Sequence, residues 1–511
     1  MLVHHILEKS AQKTPDAKAI WYCNQWKTYE AIESQANSVA NYLIKNGIQK
    51  GDRIALLYEN SFDYVINYYA ILKAGAVVVS LNTGFNAEML AYAINDSQAK
   101  AIITNDKFTK QIIPTLKEPS PISLAIISSK SGDKINEFNF PKTSLEEIYQ
   151  SEKTTKPDVR KIDIDIAALV YTSGSTGKPK GVTLTHLNII SNTRSIISYL
   201  KLTSDDRIMV VLPFYYIYGK SLLNTHFYVG GSVVIDNRFT FPAVILKTMK
   251  ETAVTGFAGV PSTFIILLNQ SPIRDYTFNQ LRYITQAGGS MAVPIQKEVA
   301  EVFAPAKLFI MYGATEASAR LSYLEPDMLP SKWGSIGKAI PNVDLFVADN
   351  NGQQLPSETE GEIVARGSNI MVGYWNDPDE TNKVLKNGLY FTGDLGKSDR
   401  DGYLYVVGRK KDMIKVGGER IGAKEIEEKI LELSEVQEVA AIGIPDSVLG
   451  EAVKLFIVPK NGANFTEEDF RLLIIKKLPQ YMQPKKIDIV NSLPKNEAGK
   501  IMKTVLKDDS M

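Results

Sequence analysis

Residues 171 to 181 read Tyr171-Thr172-Ser173-Gly174-Ser175-Thr176-Gly177-Lys178-Pro179-Lys180-Gly181. They follow Ile166–Val170, a short apolar run that reads as a buried strand, and lead into 182–188, where a helix is expected to start. Between the two, nearly every side chain is small, hydroxylated or cationic. Glycines let a backbone approach a ligand closely, and successive exposed N–H groups form an anion nest. With Lys178 and Lys180 adding positive charge, the loop suits a polyphosphate. It is not the common P-loop, which requires four residues between its glycines and a Ser or Thr after the lysine. Here only two residues, Ser175 and Thr176, separate Gly174 from Gly177-Lys178, and Pro179 follows. A simple P-loop ATPase or kinase is thereby disfavoured.

At 511 residues the chain exceeds what one hydrophobic core supports, so two or more domains are expected. A net charge of +1 gives no sign of a nucleic-acid partner. One cysteine, Cys23, excludes an intrachain disulfide and a Cys-rich zinc site. His4, His5, His186 and His226 are too scattered in sequence to suggest a metal cluster. The longest apolar stretch, 65–81, contains Asn67, Lys73 and Gly75 and is no membrane span. No signal pattern opens the chain. A cytoplasmic protein without stable membrane insertion is expected.

Residues 1–160 alternate strand and helix patterns. Strands are expected at 19–23, 53–57, 76–81 and 99–104. Helices are expected at 62–72, at 87–94 and after Thr28, where Ile32, Ala36, Val39, Ala40 and Leu43 recur at helical spacing up to Gly47. Residues 118–160 read as irregular. A second alternating block runs from about 161 to 340. Its strand at 208–212 ends in Pro213-Phe214-Tyr215-Tyr216-Ile217-Tyr218-Gly219, aromatics that suit either core or a pocket wall, since sites in open α/β sheets lie at strand carboxyl ends. Lys220 follows, either solvated or facing a polar or anionic substrate group. Three more strand ends follow in the segments Gly256–Ser262, Arg282–Ser290 and Leu308–Glu316. Residues 341–408 carry short strands at 345–347, 361–366, 388–392 and 402–407. From Lys424 the order is helix 425–431, strands 436–443 and 451–458, helix 467–477 and strand 486–490. Strand–helix repetition predicts an α/β chain: a large N-terminal domain of parallel α/β sheets plus a small β subdomain, and a small α+β C-terminal domain.

The loop at 171–181, together with Tyr312-Gly313-Ala314-Thr315-Glu316, Tyr390-Phe391-Thr392-Gly393-Asp394, Gly408-Arg409-Lys410-Lys411-Asp412 and the closing Pro494-Lys495-Asn496-Glu497-Ala498-Gly499-Lys500, resembles the adenylate-forming superfamily. That family includes acyl-CoA synthetases, adenylation domains and beetle luciferases. The resemblance runs from about residue 10 to 503 in the family's motif order.

The resemblance implies an N-terminal adenylation domain at 1–408, with a β-rich subdomain from about 341, a hinge at 409–412 centred on Lys411, and a mobile C-terminal lid at 413–511. It implies ATP contacts from Thr172, Ser173, Gly174, Ser175, Thr176, Gly177, Lys178 and Lys180, and from Gly288, Gly289, Ser290, Tyr312 and Gly313. Asp394 and Arg409 would meet the ribose, Thr315 the α-phosphate, and Glu316 a magnesium ion. Lys500 would bridge the attacking carboxylate and the α-phosphate. The acyl pocket would be lined by Tyr216, Ile217, Lys220, Val260, Ala287, Gly289 and Ala317. Amino-acid-activating relatives place an aspartate where this chain has Ile217, which lowers the case for an α-amino acid. Gly417 and Gly418 would border a thiol tunnel.

The implied activity is ATP-dependent formation of an acyl-adenylate and pyrophosphate from a small carboxylic acid, then acyl transfer to a thiol. The first choice of thiol is coenzyme A. The alternative is the phosphopantetheine of a separate acyl or peptidyl carrier protein, loaded with an acyl, amino or imino acid. A luciferase-like monooxygenase has no supporting feature, and a non-catalytic binding protein would be expected to lose Lys500, Glu316 or the loop.

Overall fold

The computed structural model describes residues 1–116, 120–128, 141–172, 179–416, 419–433, 435–446, 448–460, 466–495 and 501–508. Two large sheets dominate. One has eight strands in the order Gly373–Tyr374, Lys180–Thr185, Ile166–Thr172, Val77–Ser80, Arg53–Leu57, Ala101–Asn105, Leu124–Ser128, Lys142–Thr143. The other has nine, in the order Lys338–Ala339, Ser322–Leu324, Lys307–Tyr312, Tyr283–Gln286, Gly256–Gly259, Arg207–Val210, Ser232–Ile235, Lys18–Tyr22, Gln25–Thr28. Their centres are parallel; both margins of the nine-stranded sheet are antiparallel, as is the Gly373–Tyr374 margin of the eight-stranded one, whose Lys142–Thr143 edge is parallel.

Side chains alternate across each strand, and both faces are covered. Ile54 and Leu56 pack inward with Val78, Ala168, Ile208 and Val233. Ala55, Leu57, Val77 and Val79 pack outward against the helices Ala87–Ser97 and Asp106–Ile112. The shared inner layer consists of the helices His5–Lys13, Tyr29–Lys45, Phe62–Lys73, His186–Leu200 and Ile217–Val229. The arrangement is thus helix, sheet, helix, sheet, helix. Residues 343–409 add a five-stranded antiparallel-rich sheet. Residues 413–489 add a second one, packed on the helices Ala423–Ile430 and Glu467–Lys477.

The expected fold class holds, and three local expectations are corrected. The signature strand does not open the second block: it joins the first sheet, while Lys18–Tyr22 from the N-terminus crosses to the second. Residues 180–185 form a strand antiparallel to Ile166–Thr172, and the helix begins only at His186, where Thr185 caps it. Within 118–160, the described residues include the strands Leu124–Ser128 and Lys142–Thr143 and a helix, Leu145–Ser151, closed by a Ser144–Glu147 capping box. By contrast, Thr28 caps the helix Tyr29–Lys45 as its spacing predicts.

The inner layer carries a buried cation. Lys73 is 1% exposed and pairs with Glu8 at 2.8 Å and Glu33 at 2.7 Å, joining three helices. Nearby, the fold brings distant histidines together: the His4 ring lies 4.7 Å from that of His5 and 5.8 Å from that of His186. Removing one member of a buried pair leaves the other charge uncompensated. Lys73→Met is therefore expected to lower the unfolding free energy by about 3 kcal/mol. Urea denaturation checks this; a loss below about 1 kcal/mol would show that the two carboxylates behave as surface groups.

Candidate active site

Four neighbouring strands of the nine-stranded sheet end side by side, as the register of Ile208 with Gly256, Gly256 with Tyr283 and Tyr283 with Lys307 requires. Their carboxyl ends carry, in order, Phe214–Tyr218, Val260, Ala287–Ser290 and Gly313–Glu316. This is where ligands bind in open α/β sheets. The other sheet's strand ends meet the same place. Asn60 bridges to it by donating to the Leu212 carbonyl (2.9 Å) and accepting from the Phe214 N–H (2.7 Å). Asn82 donates to the Tyr216 hydroxyl at 3.0 Å.

The wall is open where the sequence places an acyl group. Tyr216, Ile217 and Tyr218 are partly exposed, Val260, Ala287 and Ala317 are buried, and Gly288, Gly289 and Ser290 face solvent. Gly288 has φ +82°, which favours glycine, and Gln286 holds the turn by donating to the Gly289 carbonyl at 2.8 Å. Gly313 is sterically required: a Cβ there would lie 1.9 Å from the Ala319 carbonyl oxygen.

Thr315 and Glu316 lie on one tight turn, Thr315–Ala317, followed by two residues at positive φ, Ser318 (+55°) and Ala319 (+112°). Such strain persists only when its surroundings over-determine it. Here the Asn369 side chain donates to the carbonyls of Ala317 and Arg320, both at 3.0 Å, and its main-chain carbonyl accepts from the Ser318 hydroxyl at 2.9 Å.

The Tyr374 hydroxyl donates to Glu316 Oε1 at 2.7 Å. The strand carrying Tyr374 pairs with Lys180–Thr185, and Lys180 Nζ lies 5.2 Å from the centre of the Tyr374 ring. Tyr374 thus stands between Glu316 and the phosphate-loop hairpin, whose stem pairs Thr172 with Lys180. Lys180 is also paired with Glu380, itself bonded to Lys383. One oxygen of the Glu316 carboxylate is held by Tyr374. A carboxylate oxygen is a hard donor of the kind that suits magnesium, which is commonly held by one or two carboxylates plus phosphates.

Asp394 joins this site from the antiparallel subdomain. Its Oδ2 accepts from the Tyr312 hydroxyl at 2.6 Å and its Oδ1 from Arg409 Nε at 2.9 Å. Lys411, two residues on, is exposed on the turn Lys410–Asp412. Ser173, Gly174, Ser175, Thr176, Gly177, Lys178, Gly417, Gly418 and Lys500 lie outside the described residues.

Two cations are buried behind the wall. Lys220 is not solvated: it is 1% exposed, donates to Ser80 Oγ at 2.5 Å and lies 5.3 Å from the Tyr68 ring. Arg320, 2% exposed, stacks on Tyr218 at 4.8 Å and lies near the Tyr199 hydroxyl. Among the described residues its Nε has no hydrogen-bond partner and no carboxylate pairs with it. A desolvated cation–π contact returns about 2 kcal/mol, less than the several kcal/mol an unpaired buried charge costs.

Sequence reasoning missed Asn82, Tyr374 and Arg320. Tyr374 was visible only as half of an aromatic pair after Gly373, and Arg320 only as a charge close behind Glu316.

The fold and this cleft define a nucleotide-using enzyme with a large α/β body and a small C-terminal lobe. The chain belongs to the AMP-binding enzyme family: the family model matches residues 7–375, and the model of the AMP-binding enzyme C-terminal domain matches 425–500. The chain is 34% identical to a long-chain-fatty-acid–CoA ligase of Bacillus subtilis, covering 99% of this chain and 94% of the relative. It is 30% identical to an oxalate–CoA ligase of Arabidopsis thaliana, covering 98% and 97%. Its fold matches o-succinylbenzoate CoA synthetase of Bacillus subtilis, solved with an acyl-adenylate intermediate, with a TM-score of 0.85, 27% identity and 98% coverage of both chains. No helix among the described residues is long and apolar enough to cross a membrane.

Burial pushes the Lys220 ammonium down from its ordinary 10.5 to about 7. Below about pH 7 both folded and unfolded chains carry the proton and the full penalty is present. Between there and 10.5 only the unfolded chain carries it, so stability rises with pH. Lys220→Met removes the penalty. Its stability relative to the parent should be highest near pH 6–7 and fall above pH 7 by up to about 1.4 kcal/mol per unit. Denaturation from pH 6 to 9 measures this; a difference flat across that window would overturn it.

Proposed function

We infer that the protein joins a carboxylic acid to ATP, releasing pyrophosphate, and then passes the acyl group from the adenylate to coenzyme A. The observation that carries this reading is the position of Tyr374, which links Glu316 to the phosphate-loop hairpin at the strand ends where the acid pocket also opens. A carboxylate attacking an α-phosphate brings negative charge toward negative charge, so fixed donors and cations are what the transition state needs. Thr315 meets the α-phosphate, and Asp394 and Arg409 orient the ribose. The loop from Thr172 to Lys180 receives the departing pyrophosphate, with Lys180 exchanging Glu380 for phosphate oxygens. Magnesium, held by Glu316, supplies neutralisation of phosphate charge.

Tyr216, Ile217, Val260, Ala287, Gly289 and Ala317 form the acid pocket, and Lys220 supports its wall from one helical turn behind Tyr216. An ammonium-bearing substrate is disfavoured by Ile217 and by the buried cation Arg320. The relatives are named for coenzyme A as acceptor and for acids with one or two carboxylates, which favours coenzyme A over a carrier protein and leaves the acid to the pocket's own side chains. The division falls at 409–412, with Lys411 as the pivot of the C-terminal lobe and Gly417 and Gly418 beside the thiol's path.

Pyrophosphate release across a panel of acids without thiol tests the first step, and added coenzyme A tests the second. Lys500→Ala is expected to slow adenylate formation by ~100-fold or more, the scale of losing a transition-state donor, while transfer from a supplied acyl-adenylate to coenzyme A persists. Equal loss of both would remove Lys500 from the first half-reaction.

A further inference from the structure

Arg320 leaves the strained turn after Glu316 and points into the interior. Its carbonyl is fixed by Asn369 at 3.0 Å and by Asn192 at 2.8 Å, so its main chain has little freedom. Its guanidinium lies 4.8 Å from the Tyr218 ring. Tyr218 in turn is held to the Thr285 carbonyl and hydroxyl at 3.1 and 2.9 Å, on the strand that runs into Ala287. The cation therefore stands among three segments that form the acid pocket: the Tyr216–Tyr218 corner, the Thr285–Gly289 strand end and the Thr315–Ala317 turn.

We propose that Arg320 pairs with a second carboxylate at the far end of the acid, making this a dicarboxylate-activating enzyme. This rests on the adenylation reading above. The support is physical. Arginine cannot shed its proton to escape burial, unlike Lys220. Its planar fork matches a carboxylate with two parallel hydrogen bonds. Among the described residues Nε has no partner, the Tyr199 hydroxyl near the guanidinium brings no charge, and Tyr218, which the cation covers, keeps part of its surface open. A dicarboxylic acid entering with one carboxylate toward Thr315 presents the other to the inner wall. A plain aliphatic tail there would leave the guanidinium uncompensated and desolvated.

The test uses the full chain, as parent, Arg320→Lys and Arg320→Met, with straight-chain dicarboxylic acids of three to eight carbons, each paired with the monocarboxylic acid of equal length. Two readouts are taken: pyrophosphate release from magnesium-ATP, and calorimetric binding of the acids alone. The quantity compared is the ratio of kcat/KM for a dicarboxylate to that for its monocarboxylate, which general damage to the fold does not move. The parent is expected to favour one dicarboxylate length. Arg320→Met should lower the ratio by about 100-fold, in line with removing one partner of a buried charge pair, and Arg320→Lys, which keeps charge without the fork, by less. A parent preferring monocarboxylates, or a ratio unchanged in Arg320→Met, would overturn the proposal. Absence of pyrophosphate release with every acid would refute the adenylation reading instead. Binding would then still decide Arg320: dicarboxylate binding weakened by Arg320→Met supports its role, and unaltered binding overturns it.

Discussion

The carboxylate of Asp394 is the tie on which the site's geometry depends. One oxygen is held by Tyr312, the last residue of a central strand in the nine-stranded sheet, and the other by Arg409, the last residue of the final subdomain strand. Charge-assisted bonds of this kind are short and strong. They fix the subdomain to the body at the point where the chain leaves for its C-terminal lobe. The lobe stays in touch with the same strand: Lys424 Nζ donates to the Val406 carbonyl at 2.5 Å. The two bonds leave the Asp394 carboxylate oriented before any ligand arrives.

The strand ends impose a second constraint. Four parallel strands finishing together leave carbonyls, turns and small residues in one cleft, and such a cleft must be held open by something other than its own packing. Asn60, Asn82, Asn192 and Asn369 do this, each spanning a chain separation of more than 45 residues. An amide that donates across such a distance favours one arrangement of the segments it joins. Asn192 and Asn369 fix the carbonyls of Ala317 and Arg320, on either side of Ser318 and Ala319 at positive φ.

Sequence made the body legible where local chemistry and tertiary packing agree. Thr28 and the helix it caps, the apolar runs at 53–57 and 76–81, and the helix 467–477 all show this agreement. It failed where pairing is non-local. Lys180–Thr185 was missed because its strand exists only through pairing with 166–172 and with Gly373–Tyr374, some 190 residues away. The exchange of Lys18–Tyr22 into the second sheet leaves no trace in any local pattern. The motif residues of the candidate site were singled out through resemblance; among them the structure joins Asp394 to Tyr312 and Arg409. Tyr374 and Asn82 were not, because a tyrosine or an asparagine gains its meaning from what lies across the cleft.

The two buried cations differ in a way that bears on what each can do. Lys220 lies on a helix packed between both sheets, beside buried Asn224, Thr225 and His226, and a lysine there can lower its burial cost by becoming a neutral amine that still donates to Ser80. It can therefore serve as an interior polar contact whatever the pocket holds. Arg320 has no such exit. A guanidinium does not give up its proton in proteins, and Tyr218 offsets only part of the cost. The pocket wall thus contains one group that accommodates to the fold and one that demands a partner. An interior that keeps the second kind selects, by electrostatics alone, among acids that differ only at the end remote from the reacting carboxylate.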